Sequence, residues 1–462
     1  MTPDAAGSAA PGHPAPRGIP ALLNSADFAR AYTLAVFAAL VGAHFLSRVA
    51  GVVTLRTIIA GLCAIGLGIL VVRRAEVSLL RLVPTTLVLL VLWAFASIFW
   101  STDPFGSFAR WTAMFAVAVL AVVISHIRDT LQTVRALGDV LRGALGLSLA
   151  LEVLSGVIID TPLRFLGIQG NLAHFGPVQG IFGTRNVLGF IAVVAIITFA
   201  VEMRAHSVRP GLSVFSLSLA TALALLSASP TVLVLAVVVG AATGALTLVR
   251  AVRPERRVRV QWTLGAVVAV VGVVVSTQRT RIIEALGATD DLTMRANLWA
   301  LARYFAGRQP VQGWGWFGSW DVAEQPFATI NQLLGQHHTT ALNAYVDIQL
   351  QLGWAGLLLL CALGGTALVR SWLDASERRS VVYTWTPLML IALAVTSAFE
   401  SVALFGVGWL LLVVCAVRAG QSRGWRERLG AAAPTRPPEG SAGAPSQAPS
   451  GTGGTVASLP PG

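Results

Sequence analysis

The sequence predicts an all-α integral membrane protein with about twelve membrane-spanning helices. Its 462 residues are 55% hydrophobic and only 12% charged, and the mean hydropathy is +0.72. A soluble domain cannot bury so much apolar surface. Apolar runs about as long as a membrane-spanning helix recur along the chain. Arginines concentrate in every second connection between these runs, as they do on the cytoplasmic side of membrane proteins.

The predicted spans extend from residue 33 to residue 417, and each has a length close to that of a helix that crosses a bilayer. The seventh and eighth spans are interrupted only at Ser229-Pro230-Thr231. In chain order the spans are 33–47, 58–72, 83–99, 111–127, 137–159, 187–203, 211–228, 231–249, 262–277, 342–369, 383–399 and 402–417.

The arginine-rich connections orient the chain and are expected to place both termini in the cytoplasm. Residues 1–28 and 421–462 are rich in Pro, Ala, Gly and Ser, which is typical of disordered tails, so residues 29–420 form the membrane domain. The net charge of +12 follows from this arginine pattern and does not indicate a nucleic-acid partner. The three cysteines all lie in apolar runs and suggest neither a disulfide framework nor a metal cluster.

Two connections on the opposite, extracytoplasmic side are long. They cover residues 160–186 and residues 278–341, and the second lies between the ninth and tenth spans. A membrane protein that spends most of its outer residues in two loops is expected to build its functional site there.

An amphipathic helix is predicted inside the second loop, in DDLTMRANLWALARYFAGRQP. Acidic residues precede it, and Gly307 and Pro310 close it. Arg295, Trp299 and Arg303 are four residues apart and share one face, which suits a phosphate. The alternative is an interfacial helix whose arginines are only solvated.

Polar residues enter the tenth predicted span in HHTTALNAYVDIQLQLGWAG, residues 337–356. Asn343, Asp347 and Gln351 recur every four residues and line one helix face. An ionisable group within a span indicates function, whereas interhelical hydrogen bonding is the alternative for the two amides. Asp347 is expected to have an arginine partner.

A second segment with polar residues at the start of a predicted span is GIFGTRNVLGF, residues 180–190. Arg185 and Asn186 precede a helix predicted to begin near Val187, where free backbone N–H groups and the helix dipole favour an anion. Arg185 is alternatively a snorkelling anchor.

Taken together, these segments resemble the O-antigen ligase and polymerase superfamily, which includes Wzy-type polymerases and protein O-oligosaccharyltransferases. Five patches carry the resemblance in the family's order between residues 97 and 401, and each is loose alone. They are SIFWSTDP, GIFGTRNVLG, LTMRANLW followed by QPVQGWGWFGSW, LNAYVDIQLQLGWAG and SAFES, which contains Glu400 and Ser401.

The resemblance implies a metal-independent glycosyltransferase of the GT-C type, without a cofactor, in the bacterial cytoplasmic membrane. Its donor is a glycan on undecaprenyl diphosphate, and its acceptor is a hydroxyl on a glycan, lipid-linked molecule or protein. Outer-loop arginines hold the diphosphate, and a histidine is the general base. The matching residues here are Arg295 and Arg185, with Arg303 added by spacing, and Asn343, Asp347, Glu400, Asn186 and Trp299 support them.

Two positions depart from the family pattern. Leu342 stands where a histidine precedes the asparagine, and Pro230 stands where relatives carry an arginine. If the helix extends outward by a turn, His338 shares the face of Leu342 and replaces the base, and His337 points about 100° away. The missing arginine contact falls to Arg279, Arg281 or Arg164.

Two other classes of function stay open. A transporter or flippase of lipid-linked sugars requires charged residues deep in several spans and an internal repeat, whereas the chain offers chiefly Arg142, Glu152 and Asp347. A non-enzymatic scaffold of a cell-envelope machine tolerates the loss of His338 and Arg295. A metal site on the histidine pair lacks the additional ligands that metals require.

Overall fold

The computed structural model describes residues 25–73, 83–174, 176–277 and 289–421, with the isolated residues 18 and 23. Within these ranges the chain is helical, and its β-type pairing is limited to one isolated bridge between Leu163 and Ile168. The all-α prediction is therefore confirmed. The predicted tails lie outside the described residues, except that the first helix already begins at Ala26 and the last ends at Gln421.

The described ranges contain fifteen α-helices, numbered here in chain order. They are α1 (Ala26–Val41), α2 (Ala43–Val49), α3 (Val52–Val72), α4 (Thr85–Ala96), α5 (Pro104–Ile127), α6 (Thr130–Val153), α7 (Arg185–Arg204), α8 (Pro210–Leu226), α9 (Pro230–Ala251), α10 (Pro254–Thr277), α11 (Thr289–Ala306), α12 (Phe327–Leu334), α13 (Ala344–Glu377), α14 (Trp385–Ser397) and α15 (Gly406–Gln421).

Among the described residues, six helices are long and apolar enough to cross a membrane: α3, α5, α6 with its continuation to Ile158, α7, α9 and α13. The pair α1 and α2, bent by 73°, makes a seventh candidate. Four apolar helices are shorter, namely α4 continued to Trp100, α8, α14 preceded by a turn from Val381, and α15. These helices confirm the prediction of an integral membrane protein, and the count of twelve spans stays a prediction.

Helix α7 lies at the centre of the bundle. Of its most apolar stretch, 72% is buried, against 11% for α3 and 17% for α9. It packs against α6, α8, α9 and α14. Helix α7 therefore contacts protein over most of its surface, whereas α3 and α9 present many side chains to the surroundings of the bundle.

Side-chain caps fix the starts of the two helices that begin with these polar segments. The Thr184 hydroxyl accepts a hydrogen bond from the Val187 N–H at 3.3 Å and starts α7. The Asn343 carboxamide oxygen accepts from the N–H groups of Tyr345 and Val346 at 3.0 and 3.2 Å and starts α13. Threonine and asparagine are favoured caps because they satisfy N–H groups that the first helical turn leaves unpaired. Both helices begin at the end of the bundle opposite the arginine-rich connections.

Helix α13 is broken at Gly353, whose φ of 67° and ψ of −166° are non-helical. The outer-loop segment 310–315 packs into this break. The Trp354 N–H donates to the Pro310 carbonyl at 2.8 Å, and the Trp314 N–H donates to the Leu350 carbonyl at 3.1 Å. The glycine-tryptophan stretch of the sequence is therefore the part of the loop that binds the break in α13.

Replacing Gly353 by alanine is expected to destabilise the fold by about 3 kcal/mol, because this backbone conformation is almost restricted to glycine. An alanine Cβ there lies 2.2 Å from the Val311 carbonyl oxygen. Gly364, in the same helix, has open space where a Cβ is added, so Gly364→Ala is the matched control and is expected to cost nothing. Heating both variants in detergent while following tryptophan fluorescence measures the difference. Equal melting of the two variants contradicts a required break at Gly353.

Candidate functional site

A buried arginine joins the outer loop to the membrane bundle. Arg295 lies on α11, and only 5% of its surface is exposed. Its Nη1 donates to the carbonyl oxygens of Phe399 and Leu342 at 2.5 and 3.4 Å. Its Nη2 lies 3.5 Å from Glu400 Oε1. The guanidinium is thereby fixed between the start of α13 and the turn that follows α14.

The Glu400 carboxylate also connects Arg295 to residues at the starts of α7 and α9. Asn186 donates from Nδ2 to Glu400 Oε1 at 2.7 Å, and the Ser229 hydroxyl donates to Asn186 Oδ1 at 2.7 Å. Asn343 donates from Nδ2 to the Ala398 carbonyl at 3.0 Å. We call Asn186, Ser229, Arg295, Asn343 and Glu400 the outer polar cluster, and we use "outer" for it and for the loop 278–341 only after the orientation that the sequence predicts. It joins five separate chain segments at the end of the bundle opposite the arginine-rich connections.

His338 is held by its backbone rather than by its ring. Its N–H donates to Asn331 Oδ1 at 2.7 Å, and its carbonyl accepts from Asn331 Nδ2 at 2.9 Å. The ring atom Nε2 is buried and has no hydrogen-bond partner among the described residues. Burial lowers the pKa of this imidazole, and the nearby positive charge of Arg295 lowers it further. The ring is therefore neutral near pH 7. Its Nε2 is closed off in this arrangement, so a substrate reaches it only if the surrounding residues move.

The outward turn of α13, which is the condition for placing His338 on the face of Leu342, is absent from this described part of the chain. The helix begins at Ala344 with Asn343 as its cap. Leu342 has a φ of +49°, which interrupts any right-handed helix before it. His338 therefore does not share a helix face with Leu342. The two hydrogen bonds between the Asn331 carboxamide and the backbone of His338, called the Asn331 clip below, hold its side chain in a half-buried position. His337 is exposed.

Asp347 is fully buried, one turn inside α13, and the prediction of an arginine partner is wrong. Its carboxylate accepts from Trp320 Nε1 at 2.6 Å, from Gln351 Nε2 at 2.9 Å and from the Ala341 N–H at 3.3 Å. The Gln351 side-chain oxygen in turn accepts from two N–H groups of the loop, at Phe317 and Gly318. These two polar residues fasten the outer loop to α13.

Arg185 and Arg303 lie outside the buried network. Arg185 is exposed in the first turn of α7, beside Asn186 of the outer polar cluster. Arg303 is exposed in the last turn of α11, two turns from Arg295. Trp299, between them, donates from Nε1 to the Ala341 carbonyl at 2.9 Å and anchors α11 to the residues before α13. The predicted face of α11 thus divides into a buried arginine, an anchoring indole and a solvated arginine.

Three site residues escape the sequence patterns. Asn331 lies in α12, a helix without a motif, and nothing in the sequence connects it to His338. Ser229 stands beside Pro230, which draws attention as the missing arginine, although the serine itself joins the cluster. Trp320 ends the glycine-tryptophan stretch, which signals an interface as readily as a partner for Asp347. Of the three arginines considered as replacements, Arg164 is exposed, and Arg279 and Arg281 lie outside the described residues.

The deep charges that bear on a transporter are held by ion pairs or hydrogen bonds. Arg142 of α6 forms an ion pair with Glu202 of α7 and donates from Nε to the Ser216 hydroxyl of α8 at 2.8 Å. Glu152 accepts from the N–H groups of Gln179 and Gly180 at 2.9 and 2.8 Å. Glu202 is the one member of this set that the sequence patterns miss. Each group links neighbouring elements of the bundle, which is a structural role.

Neither a protein-family model nor a curated protein matches this sequence. The resemblance to a known superfamily therefore depends on the five motifs, of which GIFGTRNVLG, LTMRANLW, LNAYVDIQLQLGWAG and SAFES contribute Asn186, Arg295, Asn343 and Glu400 to one cluster.

Proposed function

We propose that this protein is a glycosyltransferase of the O-antigen ligase or polysaccharide polymerase type. It transfers a glycan from an undecaprenyl-diphosphate-type lipid to an acceptor hydroxyl at the outer face of the bacterial cytoplasmic membrane, with both termini in the cytoplasm. The observation that supports this proposal is the outer polar cluster. Motifs separated by more than a hundred residues supply Asn186, Arg295 and Glu400 to one network, and His338 lies within the electrostatic influence of Arg295.

The proposed reaction exchanges one glycosidic bond for another. The acceptor hydroxyl attacks the anomeric carbon of the donor sugar, and the bond from that carbon to the phosphate oxygen breaks. Its electron pair leaves with the lipid diphosphate. The hydroxyl proton passes to Nε2 of His338 once movement of the neighbouring residues exposes this buried atom. The ring is neutral near pH 7 because burial and Arg295 lower its pKa.

The leaving diphosphate requires positive charge, and two arginines supply it. Arg185 is exposed at the start of α7, where the helix dipole also favours an anion. Arg295 already contacts Glu400 and two carbonyl groups, so the diphosphate competes with Glu400 for this guanidinium. Donor binding therefore requires Glu400, and with it the turn after α14, to move away from Arg295. Guanidinium groups suit this role because their planar fork matches phosphate oxygens.

Reconstitution tests the proposal and separates it from the transporter alternative. The full chain is placed in lipid vesicles with lipid-linked glycan from its own host, and free lipid diphosphate and glycan products are measured. The proposal expects release of lipid diphosphate together with a new glycosidic product. Movement of intact lipid-linked glycan between leaflets without release identifies a transporter instead. Neither movement nor release, in protein that melts cooperatively, favours the scaffold.

A further inference from the structure

A cavity lined by four arginines lies at the other end of the bundle, where α13 ends. It has a volume of about 310 Å³, between the last turns of α9 and α13 and the first turns of α10. The arginines are Arg250, Arg257, Arg378 and Arg379, and Thr247 and Glu377 also line it. This position is far from the outer polar cluster along α13, so the cavity is a separate site and does not depend on glycan transfer.

The cavity carries an excess of positive charge. Arg378 pairs with Asp374 at 2.8 Å, and Glu377 contributes the second carboxylate. Arg250 donates to the carbonyl oxygens of Arg378 and Ser380, which orient the guanidinium without neutralising it. Among the described lining residues and Asp374, four guanidinium groups stand against two carboxylates, which leaves an excess of two positive charges. These positive charges repel one another, and a bound anion relieves the repulsion.

We propose that this cavity binds the phosphate group of an anionic membrane phospholipid. The guanidinium forks match phosphate oxygens, and basic pockets between helices near the membrane surface hold lipid headgroups. Exposed apolar side chains lie close in sequence to the lining residues of α9 and α10: Leu248 is 52% exposed, Val258 60% and Trp262 77%. A free phosphate does not contact this apolar surface, whereas the acyl chains of a lipid cover it.

The proposal is tested with the full chain, purified in detergent and stripped of lipid. Phosphatidylglycerol, phosphatidylethanolamine and inorganic phosphate are added separately, and the melting temperature and the lipid retained in native mass spectra are measured. Phosphatidylglycerol is expected to raise the melting temperature and to remain bound. The variant Arg257→Gln with Arg379→Gln is expected to weaken its apparent affinity about tenfold or more.

The matched control removes the same number of charges from positions next to Arg257 in the chain. Arg253 and Arg256 are exposed and do not line the cavity, so Arg253→Gln with Arg256→Gln is expected to keep the wild-type affinity. Equal weakening in both double variants overturns the proposal, because it indicates general surface attraction. Inorganic phosphate that stabilises the wild type as well as phosphatidylglycerol does also overturns it, in favour of a free anion. Equal binding of phosphatidylethanolamine overturns the charge argument.

Discussion

Replacing Arg295 by glutamine is expected to slow the release of lipid diphosphate by about 100-fold or more, as the loss of one preorganised charge donor does in other enzymes. The same change is expected to lower the free energy of unfolding by about 3–5 kcal/mol, because it breaks a buried ion pair. Arg295 lies 3.5 Å from Glu400, and the two side chains are only 6% and 13% exposed. The stability loss tests the observed network, and the rate loss tests the proposed function.

Two further variants separate these effects. Arg303→Gln removes an exposed arginine from the same helix and is expected to leave both the melting temperature and the rate near wild type. Arg295→Gln combined with Glu400→Gln is expected to be less destabilised than the sum of the single changes, because neither charge is then left without its partner. A normal rate in Arg295→Gln contradicts the role in donor binding. An additive double variant contradicts the ion pair.

The sequence predicts the helices well because a membrane helix must be continuously apolar over a length set by the bilayer. Eleven of the twelve predicted spans overlap one described helix each, and the first, 33–47, runs across α1 and α2, which meet at a bend of 73°. The number that crosses the membrane stays a prediction. Residues that the motifs single out also meet in the structure, in the outer polar cluster. Asn186 and Glu400 are 214 positions apart, yet they share a hydrogen bond of 2.7 Å.

The start of α13 shows where residue spacing is insufficient. Asn343, Asp347 and Gln351 are four apart, which is compatible with a continuous helix through all three and beyond. In the structure Asn343 is the cap, and the chain before it is not helical. Asparagine is among the favoured capping residues, so the signal for a helix start was present at this position. The four-residue period does not reveal where a helix ends.

The break at Gly353 and the clip on His338 depend on residues distant in sequence. The run from Ala344 to Leu360 is continuously compatible with a helix, and the break exists because segment 310–315 bonds to it. Asn331 holds His338 through a carboxamide that bonds both backbone groups of one residue. Such contacts leave no periodic pattern, since one partner lies in a loop whose path only the tertiary structure defines.

Replacing His338 by alanine is expected to slow glycan transfer by about 10²- to 10⁴-fold, the usual contribution of a general base. Donor binding is expected to be unchanged, because the arginines remain. The fold is also expected to be retained, since the Asn331 clip uses the backbone N–H and carbonyl of position 338, which alanine keeps. His337→Ala is the matched control: it removes an exposed imidazole one residue away, and its rate is expected to stay within about twofold of wild type.

The pH profile distinguishes a base from a side chain that only fills space. A histidine has an ordinary pKa of about 6.5, and the pKa of His338 is lowered by burial and by Arg295. The wild-type rate is therefore expected to hold through pH 7 and to fall only below about pH 6.5, where the imidazole takes up a proton. The residual rate of His338→Ala is expected to lack this acid-side decline. A decline that persists in His338→Ala but disappears in His337→Ala assigns the base to position 337, and a decline that persists in both variants excludes the histidine pair as the base.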